Sequence, residues 1–278
     1  MIPALAAEIL LLRKRPGPFV VAGAWVIMVV GFGFLVPYIV YATMDLGKQA
    51  DRAALLATLL PAAAHTTTAG TYPLFGGAIM LILGVLVTGP EYRWGTWTAR
   101  LVQGPSRTQV VLAKFGVGAV TATVIATAAL AASMVTSAVI ALAEQRPLSW
   151  PATSAVAASL GVAAFVSIAW MSVGAALGVV FRGVGTALGV GLLWTLGLEN
   201  AVSGLAGALP ALEPVRAALL GPASGSLVAA LGEPSVSNGG AIGVGAYMST
   251  AAACAVLLGY ATASIAVATV VTRHRDIT

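Results

Sequence analysis

Charge is what this chain has least of. Only 8% of its 278 residues are Asp, Glu, Lys or Arg, and 59% are hydrophobic. A soluble domain carries roughly a quarter charged residues, so water is not the main solvent here. The few charges fall in short stretches between long apolar runs, the pattern a bilayer selects. One cysteine, Cys254, excludes a disulfide framework or a Cys-based metal site within one chain. Two histidines, His65 and His274, and no H-E-x-x-H run leave no zinc-hydrolase signature, and no Ser, His and Asp set can be assembled inside a bilayer. The lysines are Lys14, Lys48 and Lys114; none follows a glycine run, so no phosphate-binding P-loop is present and ATP would have to be hydrolysed elsewhere. The net charge of +5 comes without a basic stripe interleaved with aromatics, which argues against nucleic acid as a partner.

What is present are apolar runs long enough to span. A hydrocarbon core of ~30 Å needs about 20 helical residues. The sequence predicts spans at 19–41, 69–89, 107–143 (charge-free from Phe115), 153–180, 183–199 and 245–271, the fifth being the shortest. Arg13, Lys14 and Arg15 precede a first run longer than the core of a signal peptide, so that run is expected to stay as a helix. With six spans both termini share a side. Arg13, Lys14, Arg15, Arg93, Arg100, Arg107, Lys114, Arg182, Arg273 and Arg275 then lie on it, ten of the 14 basic residues, the cytoplasmic face by the positive-inside rule. Omitting the fifth span would move Arg273 and Arg275 outside and spoil that asymmetry.

Three further segments stand out. Residues 2–15 space Ile2, Leu5, Ile9 and Leu12 helically around Glu8, the pattern of an interfacial helix that either anchors or docks a partner. Residues 203–232 are too broken by Pro210, Pro214 and Pro222 to cross, and too apolar for an ordinary loop; short external or re-entrant helices are expected, as a cap or a gate. On the cytoplasmic side, Pro90 and Glu91 suit the start of a helix and Gly104-Pro105 its end, and Ser106 with Gln109 forms a capping box for the third span. On that 91–103 helix Trp94, Trp97 and Leu101 share a face and Arg93 and Arg100 a neighbouring one, which suits either an interfacial anchor or a docking element.

The block Glu91-Tyr92-Arg93-Trp94-Gly95-Thr96, followed by Gly104-Pro105-Ser106-Arg107 and then Lys114, resembles the permease subunits of ABC-2 type ABC transporters. The resemblance implies an all-α membrane domain occupying 1–278: six transmembrane helices, an N-terminal interfacial helix, a coupling helix after the second span, and external helices between the fifth and sixth. It implies that Glu91, Tyr92, Arg93, Trp94, Gly95, Thr96, Trp97, Arg100 and Arg107 engage a separate ATPase subunit, present in two copies, which alone uses ATP and Mg. It also implies a second permease chain, identical or paralogous, in a bacterial plasma membrane with both termini cytoplasmic.

The chain itself is then no enzyme and binds no cofactor. Near-absence of charge in the spans, with Phe32, Phe34, Phe75, Phe165, Trp170 and Trp194 among their aromatics, suits a hydrophobic or amphipathic cargo such as a drug or lipid, although aromatics in spans also serve packing. Two other readings stay open: an ion-coupled transporter or channel, for which Glu199 at the outer end of the fifth span is the nearest candidate, although a carboxylate there also suits the membrane interface, and a non-transporting scaffold. The pairs Gly174/Gly178 and Gly185/Gly189 are compatible with close helix contact.

Overall fold

The computed structural model describes residues 2–45, 47–93, 106–235 and 240–274. Among them there is no strand, only an isolated bridge between Ser235 and Ala241. The helices are α1 (Ile2–Lys14), α2 (Pro16–Thr43), α3 (Gln49–Leu59), α4 (Ala64–Tyr92), α5 (Arg107–Ala143), α6 (Thr153–Phe181), α7 (Val184–Ala206), α8 (Glu213–Ala217), α9 (Leu220–Ala229) and α10 (Thr250–His274). Six of these, α2, α4, α5, α6, α7 and α10, are long and apolar enough to cross a membrane. The fifth, expected to stop at Glu199, runs on to Ala206.

Helix α5 has 37 residues, about 55 Å at 1.5 Å per residue, and so exceeds a hydrocarbon core. It opens on the expected capping box: the Gln109 N–H donates to Ser106 Oγ at 3.3 Å and the Ser106 N–H to Gln109 Oε1 at 3.2 Å. Two otherwise orphaned N–H groups are thereby satisfied.

Helices α4 and α6 form the centre, and glycine decides how closely they approach. A Cβ at Gly84 of α4 would strike the Met171 carbonyl of α6, one at Gly174 would strike the Leu81 carbonyl, and one at Gly178 would strike Thr88 Oγ1. The gap this leaves is bridged by Thr88 Oγ1, which donates to the Ala175 carbonyl at 2.9 Å. Gly174 and Gly178 thus form a working close-contact pair, whereas Gly185 and Gly189 on α7 meet nothing within 4 Å. Around this pair the core gathers Trp25 of α2, Phe115 of α5, Trp170 of α6, Leu220 of α9 and Leu257 of α10. Trp25 and Tyr72 pack edge to face with centroids 4.8 Å apart. The outward faces of α2, α7 and α10 carry exposed aliphatic and aromatic side chains, among them Ile27, Leu193 and Val270.

Three spans are interrupted by π-helical turns, at Gly31–Leu35, Tyr72–Gly76 and Leu193–Leu198. Such turns widen the helix by one residue and recur at functional sites. At this same end, Tyr38 and Tyr41 of α2 each donate to Glu144, just beyond α5, at 2.8 Å. These bonds hold the Glu144 carboxyl below the usual carboxylate range.

Two outcomes follow from this packing. Gly84→Val and Gly174→Val should lower the unfolding midpoint of the detergent-solubilised protein, each costing at least about 1–3 kcal/mol because the obstacle is backbone, while Gly185→Val changes it little. For Glu144 the folded carboxyl titrates below the unfolded one, so its contribution is present above the ordinary carboxylate pKa and is lost as pH falls through the lowered value. Tyr38→Phe with Tyr41→Phe should raise the Glu144 pKa measured by NMR and flatten stability against pH in that acidic window.

Candidate functional site

At the end where α4 finishes and α5 begins, four charged side chains from three elements meet. Glu8 comes from α1, Arg15 from the residue between α1 and α2, Glu91 from the turn Pro90–Arg93, and Lys114 from the second turn of α5. Lys114 Nζ lies 2.7 Å from Glu91 Oε1 and 3.0 Å from Glu8 Oε1. Arg15 reaches Glu91 Oε1 at 3.3 Å. Two acids and two bases balance, and Glu8, Glu91 and Lys114 are all buried.

Local sequence explains each placement. Glu8 is the one acid of α1 and shares a helix with Leu5 and Leu12, which pack with Val87 of α4 and Val117 of α5. That small apolar cluster sets α1 against α4 and α5 and turns Glu8 inward. Pro90 begins a new turn after Gly89, with Glu91 at its positively polarised start. Lys114 sits one helical turn before Gly118, on the same face of α5 as Val111.

Glu91 was expected as an exposed contact residue; it is instead fully buried. The reason is electrostatic: a carboxylate beside an ammonium and a guanidinium keeps favourable partners when water is removed. Tyr92 packs against the main core, and Arg93 closes the turn. Trp94, Gly95, Thr96, Trp97 and Arg100 lie outside the described residues, as does most of the expected 91–103 helix. Arg107 serves the last span: its Nη1 donates to the carbonyls of Thr272 at 2.9 Å and Arg273 at 3.3 Å, at the negative end of α10. Arg273 Nε in turn donates to Thr108 Oγ1 at 3.0 Å. Segments α1, α4, α5 and α10 are therefore tied together by polar contacts near the end of α4 and the start of α5.

Sequence reasoning missed Glu8 and Arg15 as partners of this site. A lone acid in an apolar helix, together with a lone lysine in a span, was the available signal.

A third buried carboxylate lies toward the other end. Glu199 on α7 is 3% exposed, not at a solvated interface. Its oxygens accept from Trp194 Nε1 at 3.1 Å, the Leu220 N–H at 3.2 Å and the Gly221 N–H at 2.9 Å. The last two donors open α9, so Glu199 caps that helix from a neighbouring one. A cavity of about 50 Å³ beside it is lined by Thr195, Asn200, Ser203 and Tyr247, room for one or two waters.

Of the aromatics considered for a cargo path, Phe34 and Trp170 are core residues, Trp194 serves Glu199, and Phe32 packs on Phe75 with centroids 5.1 Å apart. No group of three His, Cys, Asp or Glu residues able to hold a metal occurs among the described residues. No known family model and no curated protein matches the chain.

The Glu8, Arg15, Glu91 and Lys114 cluster makes a quantitative expectation. Lys114→Met removes the ammonium set between two buried carboxylates and should cost about 3–5 kcal/mol in thermal or denaturant unfolding. Lys114→Met combined with Glu8→Gln should recover part of that loss, since the Glu8 charge is gone and Glu91 keeps Arg15.

Proposed function

We propose that the chain is the membrane-spanning permease subunit of an ATP-driven exporter of the ABC-2 type. The observation that carries the reading is the charged quartet of Glu8, Arg15, Glu91 and Lys114, three of them buried, where α4 ends and α5 begins. A force applied to a loop reaches the spans only if its root is stiff, and this root is locked by ion pairs to α1 and α5. Arg107 extends the same unit to α10. On this reading the Glu91 to Arg100 stretch, with the block Glu91-Tyr92-Arg93-Trp94-Gly95-Thr96, is a coupling helix seated on a separate ATPase subunit that supplies ATP and Mg chemistry. Helix α1 lies at the cytoplasmic interface, both termini are cytoplasmic, and the membrane is a bacterial plasma membrane.

The outward apolar faces of α2, α7 and α10 are covered by lipid and by a second permease chain. Two permease chains and two ATPase copies would alternate access for a hydrophobic or amphipathic molecule. Helices α8 and α9 then cap or gate the outer mouth.

One observation favours a second reading, an ion-coupled transporter: Glu199 is buried beside a small cavity that Thr195, Asn200 and Ser203 help to line. Its three N–H donors account for the carboxylate as a helix cap, which is why the coupling reading is preferred.

Co-purification from the native membrane should yield an ATPase subunit, and proteoliposomes holding both should export a lipophilic dye only with ATP. Glu91→Gln, which keeps the buried shape, and Arg93→Ala should each leave basal ATP hydrolysis but reduce ATP-driven export at least about tenfold, a loss of ~1.4 kcal/mol in coupling. Transport driven by a proton gradient alone and abolished by Glu199→Gln would instead establish the ion-coupled reading.

A further inference from the structure

A cavity of about 450 Å³ lies between α2, α3, the start of α4 and the residues Glu233, Pro234 and Gly240 to Ile242, and neither the coupling site nor Glu199 accounts for it. Its volume falls within the range of small-molecule sites. Two of the three π-helical turns border it: Phe32 and Gly33 belong to the one at Gly31–Leu35, and Leu74 and Phe75 to the one at Tyr72–Gly76. The cavity therefore coincides with the places where two spans give up regular α-helical geometry.

Its polar lining has one sign. Thr58, Thr67 and Thr71 line it, and the hydroxyl of each already donates its proton to a backbone carbonyl: Thr58 to Leu55 at 2.8 Å, Thr67 to Thr58 at 2.7 Å, and Thr71 to Thr68 at 2.7 Å. What they offer a ligand is lone pairs. Among the described residues the remaining polar side chain on the wall is Glu233, an acceptor when ionised, and none of those residues on the wall is basic. Glu233 is hydrogen-bonded to Thr66, and burial pushes its carboxyl up. Gly70 makes the space for it, since a Cβ there would come within 3.0 Å of Glu233 Oε1.

The rest of the wall is apolar, including Phe32, Leu55, Leu74 and Phe75. Phe32 at 54% and Ile242 at 59% exposure mark an open flank on an apolar surface.

We propose that this cavity is a binding site for a hydrophobic molecule bearing one ammonium group, with the ammonium donating to Glu233 and the threonine oxygens and the apolar portion against Phe32 and Phe75. An acceptor-only wall rejects anions and leaves a neutral hydrocarbon facing unpaired polar groups. A hydrophobic amine satisfies both halves. As a binding site it is independent of the permease reading; only its use as a cargo site rests on that reading. The shared chemistry could come from a free amphipathic amine or from the headgroup of phosphatidylethanolamine.

The test uses the purified full chain in phosphatidylcholine nanodiscs without any ATPase, so a failure of the coupling reading does not touch it. Octylamine and octanol are titrated calorimetrically, with empty discs subtracted. Octylamine should bind at least about tenfold tighter than octanol, and Glu233→Gln should remove that preference while leaving octanol binding and the unfolding midpoint unchanged. Gly70→Ala, which presses on Glu233, should weaken octylamine in the same selective way. Discs containing phosphatidylethanolamine separate the two sources: competition there assigns a lipid headgroup, and undiminished octylamine binding assigns a free amine. Equal affinity for octylamine and octanol, or a Glu233→Gln variant that binds octylamine as the parent does, would overturn the proposal.

Discussion

Lys114 joins three elements through a single buried charge. Its ammonium lies between Glu8 and Glu91, so one point charge joins the N-terminal helix, the end of α4 and the beginning of α5. Buried ion pairs contribute little net stability against an apolar replacement, but they are unforgiving of rearrangement, because any sliding of α1 or the Pro90–Arg93 turn leaves a charge unmatched. Specificity of arrangement is what such a cluster supplies. Leu5, Leu12, Val87 and Val117 give the same junction an apolar floor that excludes water.

From this junction the rest of the bundle is positioned by close packing. Helix α4 continues from Glu91 back through Gly84, where its backbone touches that of α6 around Met171. In a bilayer, helix association gains little from hydrophobic burial and rests on such backbone approach and on interhelical hydrogen bonds like that of Thr88 to Ala175. Toward the other end the packing loosens into π-helical turns, and there both cavities occur. One end of the molecule is thus locked by charge and the other opened by irregular backbone, an asymmetry suited to transmitting motion from the first to the second.

Much of the helical layout was legible in the sequence, because a bilayer imposes length and polarity on each crossing segment. The end of α7 was not. A carboxylate reads as the end of a span, and Glu199 instead continues the helix because Trp194 and the amino terminus of α9 supply three donors that no local pattern reveals. The same limit hid the charged quartet: Glu91 was recognised from its surrounding motif, but its burial depends on Glu8, Arg15 and Lys114, which are brought near only by the fold. The π-helical turns at Gly31–Leu35 and Tyr72–Gly76 were equally invisible, since glycine and proline mark irregularity without specifying its kind.

The central claim is that the loop rooted on Glu91 delivers the work of an ATPase to the spans. Replacing Trp97 with a photoreactive benzophenone amino acid in native membranes tests it most directly. The account predicts a covalent adduct to an ATP-hydrolysing subunit whose yield changes when ATP is trapped in its hydrolysis transition state. Adducts to lipid alone, indifferent to nucleotide, would contradict it.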